Sequence, residues 1–193
     1  MMDFHFNNVW TALSEAFPDR PALICEGNTV TWSEFNDRAA RLAGLFQSHK
    51  VTSGASVGLY MLNCNEYTEA HFGCFKSALC PVNVNYRYRS EELVYLLDNS
   101  DAQVVIYHAS YAPRVKEIRE SLPNIKLYIQ VDDESGEPLL EGAIDYDDAI
   151  RSSAPVPFTP GKFEDRYMLY TGGTTGMPKA KFWPQTYFSC SSE

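Results

Sequence analysis

Between Tyr170 and Lys179 the chain runs YTGGTTGMPK, and these residue types could hold an anion. Thr171, Thr174 and Thr175 carry hydroxyl donors, and Lys179 carries a point charge. Gly172, Gly173 and Gly176 leave the backbone free of Cβ atoms, so successive N–H groups can converge on one anion. Pro178 stiffens the approach to Lys179. The chemistry this set can do is to hold phosphate groups. Two other nucleotide motifs fail on inspection. A Walker loop needs lysine directly after its last glycine and then Ser or Thr, whereas Met177 and Pro178 intervene and Ala180 follows. The GxGxxG pattern is absent as well. A bare GGTTG would equally suit a solvated turn, but the apolar run RYMLY before it and the Pro-Lys pair after it favour the phosphate reading.

The other candidates are weaker. His5, His49, His71 and His108 have no metal-ligand spacing and read as surface or packing residues. Asp132, Asp133 and Glu134 read as a solvated loop rather than a metal site. Arg87 and Arg89, interleaved with Tyr86 and Tyr88, could meet a phosphate or coenzyme A, although local packing explains them better. No residue can be assigned as catalytic, and no metal ligand is identified.

The elements that must position the loop alternate in type. Phe6, Val9, Trp10, Leu13 and Phe17 fall at helical spacing and predict an opening amphipathic helix. PALICEG and TVTW flank Gly27-Asn28, which predicts a hairpin. A helix then follows with Ser33 as its cap and Phe35, Ala39, Leu42, Leu45 and Phe46 on its apolar side. SVGLYML, CPVNVN, QVVIY and KLYIQV read as buried strands. Helices over 65–78, 90–100 (capped by Ser90) and 111–122 alternate with them. This order predicts an α/β fold, a mostly parallel sheet with helices on both faces. Residues 132–142 read as an acidic surface loop, 145–150 as a short helix, and 152–161, with Pro155, Pro157 and Pro160, as an extended linker.

Composition excludes some functions. A hydrophobic share of 45% with 21% charged residues argues for a folded chain rather than a disordered one. A formal charge of −9 argues against nucleic acid, whose phosphates require a basic surface. Five cysteines, an odd number without CxxC spacing, read as buried free thiols in a reducing compartment. The opening residues lack the basic and apolar regions of a secretion signal, and no apolar run approaches the ~20 residues that span a bilayer. The expected location is cytoplasmic.

The loop also resembles a known family. YTGGTTGMPK is similar to the phosphate-binding signature of the AMP-forming adenylating enzymes, which include acyl-CoA synthetases, luciferases and peptide-synthetase adenylation domains. PDRPALI, TVTWSEFNDRAARLAGLF and GASVGLYMLNCNEYTEAHFGCFKSALC are similar to that family's N-terminal blocks, in the same order, and the resemblance runs over residues 8–179. NVNYRYRSEEL is most similar to bacterial fatty-acyl or steroid-side-chain CoA ligases.

The resemblance implies a two-step reaction. A carboxylate attacks the α-phosphate of ATP to give an acyl-adenylate and pyrophosphate, and the thiol of coenzyme A then takes the acyl group. It implies that Thr171, Gly172, Gly173, Thr174, Thr175, Gly176 and Lys179 hold the β- and γ-phosphates, with Mg2+ accompanying ATP. A fatty acid is the expected substrate. An aryl-CoA ligase remains open, as does a non-catalytic fragment that only binds nucleotide phosphates. The sequence departs from the family pattern at three places. Gly172 stands where many members have serine, Ala180 replaces the closing glycine, and Lys181 stands where an apolar stretch would begin. Residues 1–180 are therefore expected to form the N-terminal portion of an AMP-binding domain, and 181–193 a divergent tail. This reading expects a truncated chain, inactive by itself, with an open sheet edge beside the strand at 167–170. No residue bears on its oligomeric state.

Overall fold

Apolar runs alternate with helical periodicity along the chain, and the computed structural model arranges that alternation in layers. It describes residues 5–162, 164–171 and 179–184. Helix α1 (Phe6–Ala16) leads to strands β1 (Pro21–Cys25) and β2 (Asn28–Thr31), helix α2 (Trp32–Ser48) and strand β3 (Ser56–Tyr60). Helix α3 (Asn65–Lys76), β4 (Cys80–Asn83), α4 (Ser90–Asn99), β5 (Ala102–His108) and α5 (Ala112–Ile118) follow. The chain continues through β6 (Leu127–Val131), β7 (Ile144–Asp145) and α6 (Tyr146–Ser152) to β8 (Arg166–Thr171) and β9 (Lys179–Pro184).

Strands β3 to β9 form one seven-stranded sheet in the order β7-β6-β5-β3-β4-β8-β9, parallel except for β9. Successive strand residues point to opposite faces, and both faces are covered. Val57, Leu59, Val104 and Ile106 meet α2, α3 and α6 through Leu42, Phe46, Cys74 and Ile150. Tyr60, Val105 and Tyr107 meet α4 and α5 through Leu93, Leu97, Val115 and Ile118. The expected α/β layering is thus present, with the central strands buried along their whole length.

Several boundaries differ from the sequence expectation, each for a local reason. The hairpin turn is Glu26-Gly27, one residue earlier than Gly27-Asn28, because both central residues take positive φ (49° and 85°) as a type I′ turn requires. The cap of α2 is Thr31 rather than Ser33. Its hydroxyl accepts from Glu34 N–H while the Glu34 carboxylate accepts from Thr31 N–H at 2.8 Å, a reciprocal box that Ser33 cannot make. Ser90 is the first residue of α4 rather than its cap, since the N–H that Glu92 secures belongs to Arg89. The helix expected over 111–122 is α5, with a 3-10 turn on each side of it.

Helix α1 shows the largest difference. Its buried residues are Asn7, Asn8, Thr11 and Ser14, whereas Phe17 is exposed under the Arg20 guanidinium. The 154–162 segment explains this. It is extended, as expected of a proline-containing linker, but it lies on the protein rather than free of it. Val156 N–H donates to Ala40 O, and a Cβ at Gly44 would collide with the Ala154 carbonyl. Its backbone groups need partners, and α1 supplies them: Asn7 Nδ2 donates to Thr159 O at 2.8 Å, and Gly161 N–H donates to Asn8 Oδ1 at 2.9 Å. Phe6 and Trp10 pack beside that polar stripe against Phe75, Phe72 and Phe35.

Candidate functional site

Strand β8 ends at Thr171 and β9 begins at Lys179, on either side of the glycine-rich stretch. The two pair antiparallel from Arg166 opposite Pro184 to Thr171 opposite Lys179. Gly172, Gly173, Thr174, Thr175 and Gly176 lie outside the described residues, as does the side chain of Thr171. What the described residues establish is the loop's mouth: the backbone of Thr171 faces that of Lys179, whose side chain is exposed. Because β8 runs parallel to β4, this mouth opens at the carboxyl edge of the sheet.

Side chains secure β8 to the body of the protein. Met168 is buried, Tyr167 meets the rings of His71 and Phe75, and Tyr170 donates its hydroxyl to Asn99 Oδ1 at 3.0 Å. Burial pushes the Tyr170 hydroxyl up to about 12, so it remains a donor. The expectation of an open edge beside 167–170 is corrected by β9, which covers β8 along its length and itself forms the margin. KFWP lacks clean alternation and gave little sign of that strand in the sequence.

The same edge carries an opening of about 660 Å³ beyond the ends of β3, β5 and β6, where the chain leaves neighbouring strands in opposite directions along the sheet, the position at which parallel sheets commonly take ligands. The 62–66 loop, His108 and the acidic 132–134 loop line it. Among its charged groups Arg38 stands alone against carboxylates, and that guanidinium is already engaged. Arg38 pairs with Glu69 at 2.8 Å and with Asp147 at 2.9 Å, and Tyr146 donates to the other Glu69 oxygen at 3.2 Å. Burial pushes the Glu69 carboxyl up against the pull of Arg38. Asp133 accepts from Ser110 and Ser135 N–H groups, and despite partial burial these bonds hold its carboxyl below the usual range. An opening of this charge repels phosphate. The β8–β9 mouth lies on the other side of β4, with β8 two strand spacings, roughly 10 Å, from β3 and Lys179 on the strand beyond it.

The remaining candidates resolve locally. The Arg87 guanidinium lies over the Tyr86 ring and donates to its hydroxyl at 3.2 Å. The Tyr88 carbonyl accepts from Arg114 and from Tyr60. Cys74 and Cys80 are buried and Cys64 is half-buried. Burial pushes the Cys64 and Cys80 thiols up to about 12. Cys190 lies outside the described residues. Among those residues no group of three or more His, Cys, Asp or Glu could hold a metal, and no helix is long and apolar enough to cross a membrane.

The sequence offers His5 as a surface or packing residue, and the structure buries it and gives it a partner. It is fully buried, its Nδ1 accepts from Asn7 N–H at 3.0 Å, and Nε2 lies 3.0 Å from Asp165 Oδ2. The Nε2 contact is an ion-pair approach rather than a well-aligned hydrogen bond. The one sequence signal for this arrangement is the polar stripe Asn7, Asn8, Thr11 and Ser14 at helical spacing.

A parallel sheet covered on both faces, with a hairpin mouth and an opening on its carboxyl edge, defines an α/β ligand-binding domain. The family follows from the sequence of that domain: residues 10–188 match the family described as AMP-binding enzyme, and the chain belongs to it. It is 44% identical over 188 residues to the medium-chain acyl-CoA ligase Mig of Mycobacterium avium, covering 90% of this chain and 34% of that protein. It is 38% identical over 168 residues to a 3-oxocholest-4-en-26-oate–CoA ligase of Rhodococcus rhodochrous, covering 86% of this chain and 30% of that protein. The chain thus spans about a third of the length of these relatives. The same fold occurs in the anthranilate CoA ligase AuaEII, solved with anthranoyl-AMP, at a TM-score of 0.87 and 24% identity over 96% of this chain and 36% of that one.

Proposed function

We propose that this chain contributes the phosphate-binding part of an acid–CoA ligase that activates a carboxylic acid, in particular a fatty acid, through an acyl-adenylate. The observation that carries this reading is the loop mouth, with Thr171 facing Lys179 at the carboxyl edge of the sheet. The 44% identity to a medium-chain acyl-CoA ligase supports the fatty-acid class. In the first step the acid's carboxylate oxygen bonds to the α-phosphorus of ATP and the bond to the β-phosphate oxygen breaks. Negative charge builds on the departing pyrophosphate. Lys179, the hydroxyls of Thr171, Thr174 and Thr175, and the N–H groups around Gly172, Gly173 and Gly176 would hold that charge. Coenzyme A then displaces AMP from the acyl carbon through its thiol. Magnesium belongs to the substrate in this scheme, as the counter-ion of ATP. The buried thiols support a reducing compartment, and we place the protein in the cytoplasm.

The test is titration of the 193-residue chain with ATP beside a Lys179→Ala variant of unchanged circular dichroism. The variant should bind about ten-fold or more weakly, the loss expected for one charge-assisted contact. The wild-type affinity should fall as salt rises. Equal affinity in the two proteins would overturn the assignment.

A further inference from the structure

Strand β8 has little backbone support for an element that carries a binding loop. Its ladder to the rest of the sheet is registered at one pair, Val82 with Met168, whereas β3 and β5 are registered from Ser56 with Ala102 to Tyr60 with Tyr107. Its loop end is held by Tyr170 on Asn99. Its root is held from the other end of the chain. Asp165, directly before the strand, accepts Lys162 N–H at 2.9 Å and meets the fully buried His5 ring. Gly161 lies so close to that ring that a Cβ there would overlap it, so no other residue type fits without moving the imidazole. Asn7 and Asn8 grip the backbone at Thr159 and Gly161, which places the inward polar face of α1 on one segment.

We propose that His5 and Asp165 are positioning residues, a clasp between helix α1 and the root of β8 that sets where Thr171 and Lys179 present the phosphate loop. This rests on the phosphate reading of that loop. Asn7 N–H occupies Nδ1 of His5, which leaves Nε2 as the ring nitrogen that faces the Asp165 carboxylate. Freed of the clasp, β8 can tilt about the Tyr170 contact and carry both loop ends with it. Displacement of about 1 Å in a positioning element can cost on the order of 100-fold in a reaction, so a small tilt matters.

The experiment uses the 193-residue chain with His5→Phe and, separately, Asp165→Asn. Amide exchange is measured over 166–171 and 179–184 against β3 and β5, and ATP is titrated in parallel. The clasp predicts that protection of the β8–β9 amides falls about ten-fold in both variants while β3 and β5 keep theirs. ATP affinity should fall by a similar factor although every loop residue is present. Unchanged β8–β9 protection in both variants overturns the clasp, and so does an equal loss across β3 and β5, which marks general destabilisation. Should His5→Phe fail to fold, Asp165→Asn, which keeps the side-chain size, decides alone. If the wild-type chain binds no ATP, the phosphate reading fails, while the exchange pattern still decides the clasp.

Discussion

The centre of the sheet and its β8–β9 margin are built differently. Strand β3 is buried throughout and β5 at every residue but Gln103, and the two share a parallel ladder that is irregular only at its Ser56 end, with helices on both faces. The margin has one registered pair to β4, an exposed Phe182 and Lys179, and ties that reach α4 and the far N-terminus. The centre takes its stability from contacts among close-packed apolar side chains, so single residues there should affect stability more than placement. The margin takes its position from a few polar contacts, so single residues there should affect placement more than stability. A binding loop benefits from that arrangement, since low local stability accompanies elements that must admit ligands.

The largest effect should come where the helices beside the opening bury charge. Glu69 is almost wholly buried and depends on Arg38, so Arg38→Ala should cost about 3–5 kcal/mol in urea melts. Adding Glu69→Gln should return part of that loss by removing the stranded charge. If Arg38→Ala melts like wild type, the network is not holding the charge.

A direct contrast comes next. Ile106→Ala in β5 should cost about 2–5 kcal/mol. Phe182→Ala in β9 should stay within about 0.5 kcal/mol. Comparable losses at the two sites would erase the distinction between centre and margin.

His71 joins the regions, packing on Tyr167 of β8 while its Nδ1 donates to Tyr67 O at 2.8 Å. Burial lowers its pKa from 6.5 to about 4. Below pH 6.5 the unfolded chain takes up a proton that the native state refuses, so stability should fall between pH 6.5 and 4, by about 3 kcal/mol in total. His71→Gln should flatten that limb. Asp165 extends the loss to lower pH. Burial opposes its charge, but the His5 contact and Lys162 N–H hold its carboxyl below the usual range, so its contribution is present above the unfolded pKa and lost as pH falls through the folded one.

Thiol labelling gives the smallest signal. At pH 8, Cys74, Cys80 and Cys64 should label much more slowly than in the unfolded chain, because burial raises all three. Rapid labelling of all three without unfolding would contradict their packing.

The same contrast explains what could be read in the sequence. Buried strands such as SVGLY and QVVIY announce themselves by continuous apolar runs, and α2 by its spacing of Phe35, Ala39, Leu42 and Phe46. The loop stands out in the sequence because glycines, hydroxyls and a lysine within ten positions have few other uses, and of it the structure describes only the two ends, Thr171 and Lys179. The margin does not stand out. His5 and Asp165 stand at opposite ends of the chain with no local pattern to join them. The most buried stripe of α1 is polar because it meets the backbone of the 154–162 segment, a second packed face beside Phe6 and Trp10 that apolar spacing alone could not announce. Turn and cap positions slipped by one or two residues where Glu26 took positive φ and where Glu34 closed a box on Thr31.

The central claim is that the margin holds phosphate, and the most direct measurement is ATP binding by the 193-residue chain with and without the Lys179 cation. The account predicts binding that weakens about ten-fold or more in Lys179→Ala, at unchanged melting temperature and with β3 and β5 exchange unaltered. Identical ATP affinity in the two proteins would contradict it.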